Sequence, residues 1–330
     1  MRARSSKNDR VNDGLPGGRG AGAMRARGWA LLAFAMWIVS LDAGAQALEP
    51  RRWTHLPTGL NVAGVGIGAA DGVISLDPVL RIEDATFKLY TVGTVYTRTF
   101  EWLGKSSRID FRAPWASGRW EGIVDGEFQT LRRHGFADPS VRFSMHLLGA
   151  PPLRGRAFLD YRAANPVRTS LGAAVSLTLP WGEYFDNRLI NLGANRLVVR
   201  PSVGVLHQRG PWEFELTGSV SFYGDNDAFF GGTRLEQEPR FFLQGHVIRG
   251  FGKRLWVSAS AGYSFGGEAT VNGVAKDNDD RTRYFALSVG TAFGRHTAMK
   301  LAWATVDTNI VLGTSSDAVL LTTIWTWGGD

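Results

Sequence analysis

The sequence predicts an all-β fold, a transmembrane antiparallel up-and-down β-barrel of about twelve strands. Three features predict it: apolar and polar residues alternate over many segments, the apolar faces carry aromatic residues at both ends, and short turns alternate with long polar loops. A period of two indicates strands with one face in an apolar environment. The alternating segments run for about 10–13 residues, close to the 9–11 that a tilted membrane strand needs and longer than the usual 5–6 of soluble sheets. We therefore prefer a membrane barrel to a soluble β-sandwich, whose strands also alternate.

Two segments carry the alternation most clearly. Between 255 and 265 the odd positions are apolar, and the even positions are Ser or Gly except for Trp256. Between 212 and 222 the even positions are apolar or Gly, and the odd positions carry Glu, Thr or Ser. An apolar face that begins and ends on an aromatic residue, such as Phe285 to Phe293, spans roughly 20–25 Å, the height of the apolar band of a membrane barrel.

The polar faces of these strands predict the residues that line the lumen, because a membrane barrel turns its apolar face to lipid. Two roles are open for these residues. They could form cross-strand ion pairs that brace the lumen, or a polar path in which arginines steer solutes that carry carboxylate or phenolate groups. The predicted lumen-lining residues are Arg108, Asp110, Arg112, Glu121, Asp125, Glu127, Arg142, His146, Arg200, Glu213, Glu215 and His246.

The strand count follows from the same pattern. Single-chain bacterial barrels have an even number of strands, whereas the alternation gives thirteen segments, so one segment is wrong or one strand is missed. The short, Gly-rich segment 60–68 is the weakest, and twelve strands are predicted. The thirteen segments are 60–68, 86–102, 106–115, 118–128, 139–149, 168–179, 196–208, 211–223, 238–250, 254–266, 282–294, 297–306 and 317–327.

The connections between strands are of two kinds. Tight turns are predicted at 104–105, 209–210, 252–253 and 294–295, and long polar loops at 224–237, 267–281 and 307–316. Short periplasmic turns and longer outer loops are typical of membrane barrels. The loops 224–237 and 267–281 could fold inward.

Residues 24–47 predict a cleavable signal peptide. Met24 is followed by two arginines, an uncharged apolar run of about 14 residues and the small-x-small pattern Ala45-Gln46-Ala47. The run is too short to span a membrane as a helix, which needs about 20 residues. Residues 1–23 precede a complete signal and are interpreted as a mis-assigned N-terminal extension. Residues 48–330 are then a single outer-membrane β-barrel domain, exported to the outer membrane of a Gram-negative bacterium.

The amino-acid composition excludes several classes of function. Of 37 basic and 30 acidic residues, seven and three lie in 1–47, which leaves 30 and 27 and a net charge of only +3. No nucleic-acid partner is expected from such a balance. The chain has no cysteine, which excludes disulfides, thiolate catalysis and Cys-based metal sites.

Four segments resemble one known family. They are YTRTFEWLGKSSRIDFRAPW at 96–115, GFADPSVRFSMHLLGAP at 135–151, SLTLPWGEYFDNRLINLGANR at 176–196 and PSVGVLHQRGPWEFELTGSVSFYGDNDAFFGG at 201–232. The most specific piece runs from Pro180, Gly182 and Tyr184 to the stretch 191–196. These segments resemble the outer-membrane transporter family of the meta-pathway of phenol degradation. The resemblance implies a twelve-stranded barrel that moves small aromatic or other hydrophobic compounds.

Two positions depart from the pattern of that family. Leu197 follows the Asn-Arg pair where the family commonly has Trp. The chain ends Trp325-Thr-Trp327-Gly-Gly-Asp330 and not on an aromatic residue. Trp327 is therefore the expected signal for the barrel-assembly machinery.

The expected function is an outer-membrane channel for passive uptake of small organic, aromatic or hydrophobic solutes. Its expected partners are outer-membrane lipid, such solutes and the barrel-assembly machinery, with no cofactor, catalytic residue or metal site. One alternative is a non-transporting structural or surface-binding barrel. A less favoured one is an outer-membrane lipid hydrolase: Ser144 and His146 share a face, but no histidine of 48–330 sits in a recognisable Ser–His–acid motif. The stretches 225–227 and 277–280 lack a full calcium-loop pattern and are interpreted as solvated turns.

Overall fold

The computed structural model describes residues 48–75, 82–124, 127–188, 190–252, 254–276, 278–308 and 313–330. The predicted signal peptide and the extension before it lie outside these residues. The strands in chain order are β1 (Leu60–Ser75), β2 (Ile82–Trp102), β3 (Lys105–Val124), β4 (Glu127–Phe136), β5 (Ser140–Leu148), β6 (Val167–Thr178), β7 (Val198–Arg209), β8 (Trp212–Tyr223), β9 (Asn226–Phe229), β10 (Thr233–Gln237), β11 (Arg240–Phe251), β12 (Leu255–Gly266), β13 (Ala269–Val271), β14 (Val274–Ala275), β15 (Asp280–Phe293), β16 (Thr297–Thr308) and β17 (Gly313–Gly328).

The wall is a closed antiparallel barrel of twelve strands. All strands except β9, β10, β13 and β14 join one sheet, and β1 closes it by pairing with both β17 and β2. β4 and β5 count as one wall strand, because β4 pairs with the second half of β3 and β5 with its first half. The prediction of a twelve-stranded antiparallel barrel is therefore confirmed.

The segment in excess was wrongly identified. The weak segment 60–68 is part of β1, a 16-residue strand. Segments 106–115 and 118–128 are predicted as two strands, but residues 106–124 belong to one continuous strand, β3, and β4 begins at Glu127. The proline and small residues at 114–118 do not end it, because β3 keeps its partners on β2 through this stretch.

The continuity of β3 moves one predicted lumen residue to the other face. The alternation keeps its phase along an unbroken strand, so Glu121 shares the face of Ile109 and Phe111, not that of Arg108. Its carboxylate pairs with Arg119, two residues away on the same face. Assigning Glu121 to the lumen required a change of phase near 116, which does not occur.

The two faces of the wall differ as a membrane barrel requires. On β12 the apolar residues are exposed on the outside, while Trp256, Ser258, Ser260 and Ser264 point inward and are buried. β15 repeats this arrangement, with Phe285 and Phe293 exposed on the outer face. An exposed apolar band of this kind is stable only against lipid.

The barrel has a turn end and a loop end. The two-to-three-residue connections β2–β3, β7–β8, β11–β12 and β15–β16 lie at the turn end, together with the start of β1 and the end of β17. At the loop end β9, β10, β13 and β14 form a separate four-stranded sheet from the two long predicted loops, 224–237 and 267–281.

A short helix covers part of the turn end. Helix α1 (Gly155–Ala164) lies between β5 and β6, and its Phe158 is fully buried. The Gly155 N–H donates to the carbonyl of Gly329 at 2.9 Å, which ties the helix to the end of the chain. No helix in the described ranges is both long and apolar enough to cross a membrane.

Candidate functional site

A segment that precedes the first strand lies inside the barrel. Residues 48–58 are buried at every position, although they belong to no helix or strand. Leu48 packs with Phe242 and Tyr284, whereas Leu56 packs with Ile248 and Trp256 nearer the turn end. We call residues 48–58 the plug.

One strand holds the plug through three inward residues in succession. Glu213 accepts from Arg51 at 3.3 Å, and Glu215 accepts from the backbone N–H of Trp53 at 2.9 Å. Thr217 accepts from the indole Nε1–H of Trp53 at 2.8 Å. Positions 213, 215 and 217 share the inner face of β8, because alternate side chains of a strand point to the same side. Their spacing along the strand matches the spacing of the polar groups of the plug.

The indole of Trp53 fits a slot between two glycines. Gly172 on β6 and Gly204 on β7 are cross-strand partners. A Cβ atom added at Gly172 would lie 2.4 Å from Trp53 Cε3, and one added at Gly204 would lie 1.9 Å from Trp53 Nε1. The guanidinium of Arg142 covers the ring at 5.1 Å from its centroid, a cation–π distance. Only glycine at both wall positions leaves room for this side chain.

The plug also brings its own carboxylate to the arginines of the wall. Glu49 pairs with Arg112 on β3 and with Arg52 of the plug, and its backbone N–H donates to Gln244 Oε1 at 3.2 Å. Burial raises the pKa of Glu49, but the Arg112 and Arg52 charges outweigh it and hold the pKa well below its usual range. Glu49 is therefore ionised at neutral pH.

At the turn end the plug contacts helix α1 through His55. The ring Nε2 lies 2.8 Å from the carbonyl oxygen of Pro151, so Nε2 carries the proton. The rings of Phe158, Tyr161 and His146 surround it at centroid distances of 4.9, 5.8 and 6.0 Å. Burial lowers the pKa of His55 to about 4. The imidazole is therefore neutral near pH 7.

The predicted lumen-lining residues fall into three groups. Glu121 shares the outer face of β3, Glu127 is exposed at the tip of the β3–β4 hairpin, and Asp125 lies outside the described residues. The other nine lie at inward positions. Arg112, His146 and Arg200 are partly buried, and those that are buried are Arg108, Asp110, Arg142, Glu213, Glu215 and His246.

Three of these nine form one ionic cluster. Asp110 accepts from Arg108 Nε at 2.9 Å and from Thr97 Oγ1 at 2.6 Å, and Arg142 Nη1 lies 3.7 Å from the same carboxylate. Arg108 also donates to the backbone carbonyl of Arg52 at 3.3 Å. The cluster thus joins neighbouring wall strands and the plug.

Several inward polar residues were missed by the sequence analysis. Lys300, Gln244, Arg196 and Arg240 lie inside the barrel or at its loop end. Lys300, Gln244 and Arg240 alternate with apolar residues in strands, so the same pattern applied to every strand would have found them. The plug residues carry no such signal.

The lumen is open toward the loop end and closed at the plug. At the loop end lies a cavity of about 390 Å³, and beside Glu49 the free space shrinks to about 30 Å³. The two spaces share four lining residues: Arg112, Ser140, Thr178 and Arg200. A solute that enters from the loop end therefore meets the plug next.

The buried histidines do not form a hydrolase triad. His246 contacts Ser260 Oγ at 2.8 Å through Nδ1, but its other nitrogen contacts the amide oxygen of Gln244 at 3.1 Å, not a carboxylate. Within the described ranges no cluster of three or more His, Asp or Glu side chains could hold a metal ion.

Comparison with known proteins places this barrel in a family. The chain is similar in structure to an outer membrane channel from Pseudomonas putida F1, with a TM-score of 0.69 and 19% identity over 85% of this chain and 100% of the other. It is less similar to a FadL homologue from Pseudomonas aeruginosa, with a TM-score of 0.42 and 8% identity over 83% of this chain and 91% of the other. No curated protein sequence matches. The profile of the family described as "Putative MetA-pathway of phenol degradation" matches residues 81–309, and this chain belongs to that family.

Proposed function

We propose that this protein is an outer-membrane channel for small organic solutes, aromatic or hydrophobic, which the plug holds closed. The observation that carries the proposal is a wide cavity at the loop end whose continuation is blocked by residues 48–58. This segment lies in the lumen and is not part of the barrel wall. A wall strand cannot leave the barrel without breaking its hydrogen bonds to two neighbours, whereas the plug can leave without breaking any wall ladder. The likeness to a channel from Pseudomonas putida supports the same function.

Flux through proteoliposomes tests the channel. We expect liposomes with the full-length protein to swell slowly, and liposomes with a protein that lacks the plug to swell quickly, in a panel of aromatic alcohols and aromatic acids. The channel hypothesis fails if a folded barrel without the plug passes none of them.

A non-transporting anchor is the second candidate, because the Arg108, Asp110 and Arg142 cluster could serve only to brace the wall. A bracing role predicts that Arg142→Met lowers thermal stability in detergent and leaves flux unchanged. A channel closed by the plug predicts increased flux from the same variant, since Arg142 covers the ring of Trp53.

We propose that export removes residues 1–47, so that Leu48 becomes the first residue. Leu48 lies within the lumen and is only 8% exposed, and the small-x-small pattern at 45–47 directly precedes it. Protein purified from outer membranes should give an intact mass and an N-terminal sequence that begin at Leu48. A mature chain that begins before residue 40 would contradict this cleavage site.

Acid pH should loosen the plug through His55. Since burial lowers the pKa of His55 from about 6.5 to about 4, the docked plug is fully favoured above pH 6.5 and loses stability as pH falls toward 4. The cost is up to ~1.4 kcal/mol per pH unit, about tenfold in the undocked population. The rings of His146 and Tyr161 lie next to the imidazole of His55. The positive charges of Arg162 and Arg168 oppose its protonation.

Planar-bilayer recording between pH 7.5 and 4.5 measures this effect as the frequency of openings. His55→Gln keeps a donor for the carbonyl of Pro151 but does not titrate, so its openings should depend much less on pH. Equal pH dependence in both proteins would assign the effect to other groups.

A further inference from the structure

We propose that the cavity at the loop end is a binding site for a small organic carboxylate with an apolar body. The inference rests on the proposed channel function and names its solute class. It departs from a purely hydrophobic solute, which the family resemblance alone implies. The charges, the hydrogen bonds and the apolar wall of the cavity support it in turn.

The cavity is rich in positive charge. Among the described residues, its lining includes the arginines Arg112, Arg196, Arg200 and Arg240 and a single carboxylate, that of Asp138. The oxygens of Asp138 accept from the backbone N–H groups of Gly182 at 2.8 Å and Ala194 at 2.7 Å. This carboxylate therefore holds the backbone at Gly182 and Ala194 in place. Arg112 is paired with Glu49 of the plug, so the excess of positive charge in the cavity comes from Arg196 and Arg200.

Two of these arginines have no carboxylate at ion-pairing distance among the described residues, and only the more distant charge of Asp225 acts on Arg196. In the described part of the chain neither Arg196 nor Arg200 forms an ion pair. Arg196 bonds to the amide of Gln237 and lies 4.6 Å from the ring centroid of Tyr223, and its Nε and Nη1 are buried without a hydrogen-bond partner. Arg200 uses Nε to donate to Ser221 at 3.0 Å. The buried, unpaired donors of Arg196 favour an anionic ligand, because an unpaired buried donor costs free energy.

A carboxylate at Arg112 already exists in this lumen. The plug residue Glu49 binds Arg112 on the side of the cavity that faces the plug. Because Arg112 and Arg200 line both the cavity and the space beside Glu49, the same kind of site extends outward along the arginines. The guanidinium fork suits a planar carboxylate better than a spherical ion.

Part of the cavity wall is apolar, and the cavity has a suitable size for a small molecule. Pro114, Leu192, Val198 and the ring of Tyr223 lie beside the arginines. The volume of about 390 Å³ is within the roughly 300–1,000 Å³ of pockets for small molecules. An inorganic anion would leave this apolar surface wet, whereas an aromatic carboxylate covers it and meets the arginines with its charged end.

Calorimetric titration of the full-length protein in detergent tests the site. Benzoate is the probe, and benzyl alcohol is the uncharged analogue that serves as the control. We expect benzoate to bind at least about tenfold more tightly than benzyl alcohol, since charge-assisted hydrogen bonds are the difference between them. Arg200→Gln and Arg196→Gln should each weaken benzoate binding by about tenfold or more and change benzyl alcohol little. Arg283→Gln, an exposed arginine of β15, should bind benzoate as the unaltered protein does.

Equal affinity for benzoate and benzyl alcohol, or full affinity in the Arg196→Gln, Arg200→Gln double variant, would overturn the proposal. Heat-modifiable electrophoretic mobility checks that each variant is a folded barrel. Failure of the site is distinguishable from failure of the channel: benzoate that does not bind to a barrel that conducts refutes the site alone. Benzoate that binds to a barrel without solute flux refutes the channel and leaves the site in place.

Discussion

Removal of residues 48–58 should convert a closed barrel into an open pore. The plug fills the lumen between the cavity at the loop end and helix α1, and all eleven of its residues are buried. No wall strand depends on it, since β1 begins at Leu60 and finds its partners on β2 and β17. In planar bilayers the full-length protein should be mostly silent, whereas the deletion variant should give discrete, long-lived conductance steps.

A variant of equal length provides the control. Replacing residues 48–58 by Gly and Ser keeps the chain length but removes the side-chain contacts of Arg51 with Glu213 and of Trp53 with Thr217, and a Gly/Ser segment is a flexible coil. It should conduct like the deletion, with more noise. If both variants fold, as judged by heat-modifiable mobility, and neither conducts, residues 48–58 do not close the channel.

The barrel could be predicted from sequence because its wall obeys a local rule. In β12 and β15 apolar residues that face outward alternate with polar residues that face inward. The membrane imposes that pattern wherever the wall crosses it. The alternation assigns Arg108, Asp110 and Glu213 to the inward side of their strands, and these side chains are buried in the structure. It went wrong at Glu121, where the phase depended on whether a strand ends near 116. That is decided by pairing with β2, which is a long-range contact.

The plug could not be predicted, since its residues have no period of their own. Glu49, Arg51, Arg52 and Trp53 have the composition of an exposed N-terminal tail, and they are buried only because the wall offers partners for them. Those partners lie about 160 residues away in the chain, at Glu213, Glu215 and Thr217. The φ of +68° at Arg51, rare for a residue with a side chain, is tolerated because that turn directs the guanidinium to Glu213.

The role of the two slot glycines, Gly172 and Gly204, cannot be seen from the sequence alone. Gly172 and Gly204 sit in the interior of regular strands, where glycine weakens the strand and often marks the close approach of another group. Neither has a positive φ, so turn geometry does not explain them. The close approach is that of the Trp53 indole, and this makes Gly204 the most sensitive single position for plug docking.

Gly204→Ala should therefore release the plug. The added methyl would lie 1.9 Å from Trp53 Nε1, and the indole cannot move aside because Gly172, Thr217 and Arg142 enclose it. Overpacking of this kind costs about 1–3 kcal/mol, which raises the undocked population roughly 5- to 150-fold. Bilayer recording should detect this as frequent openings in a chain that keeps every residue of the plug.

Gly218→Ala is the matched control, because Gly218 lies on the neighbouring strand β8 and nothing lies within 4 Å of its added methyl. It should stay as silent as the unaltered protein. Trp53→Ala should open the channel as well, and combining it with Gly204→Ala should add little, since the two changes remove the same contact. Additive effects of the two substitutions, or equal opening by Gly204→Ala and Gly218→Ala, would mean that the glycine slot does not hold the plug.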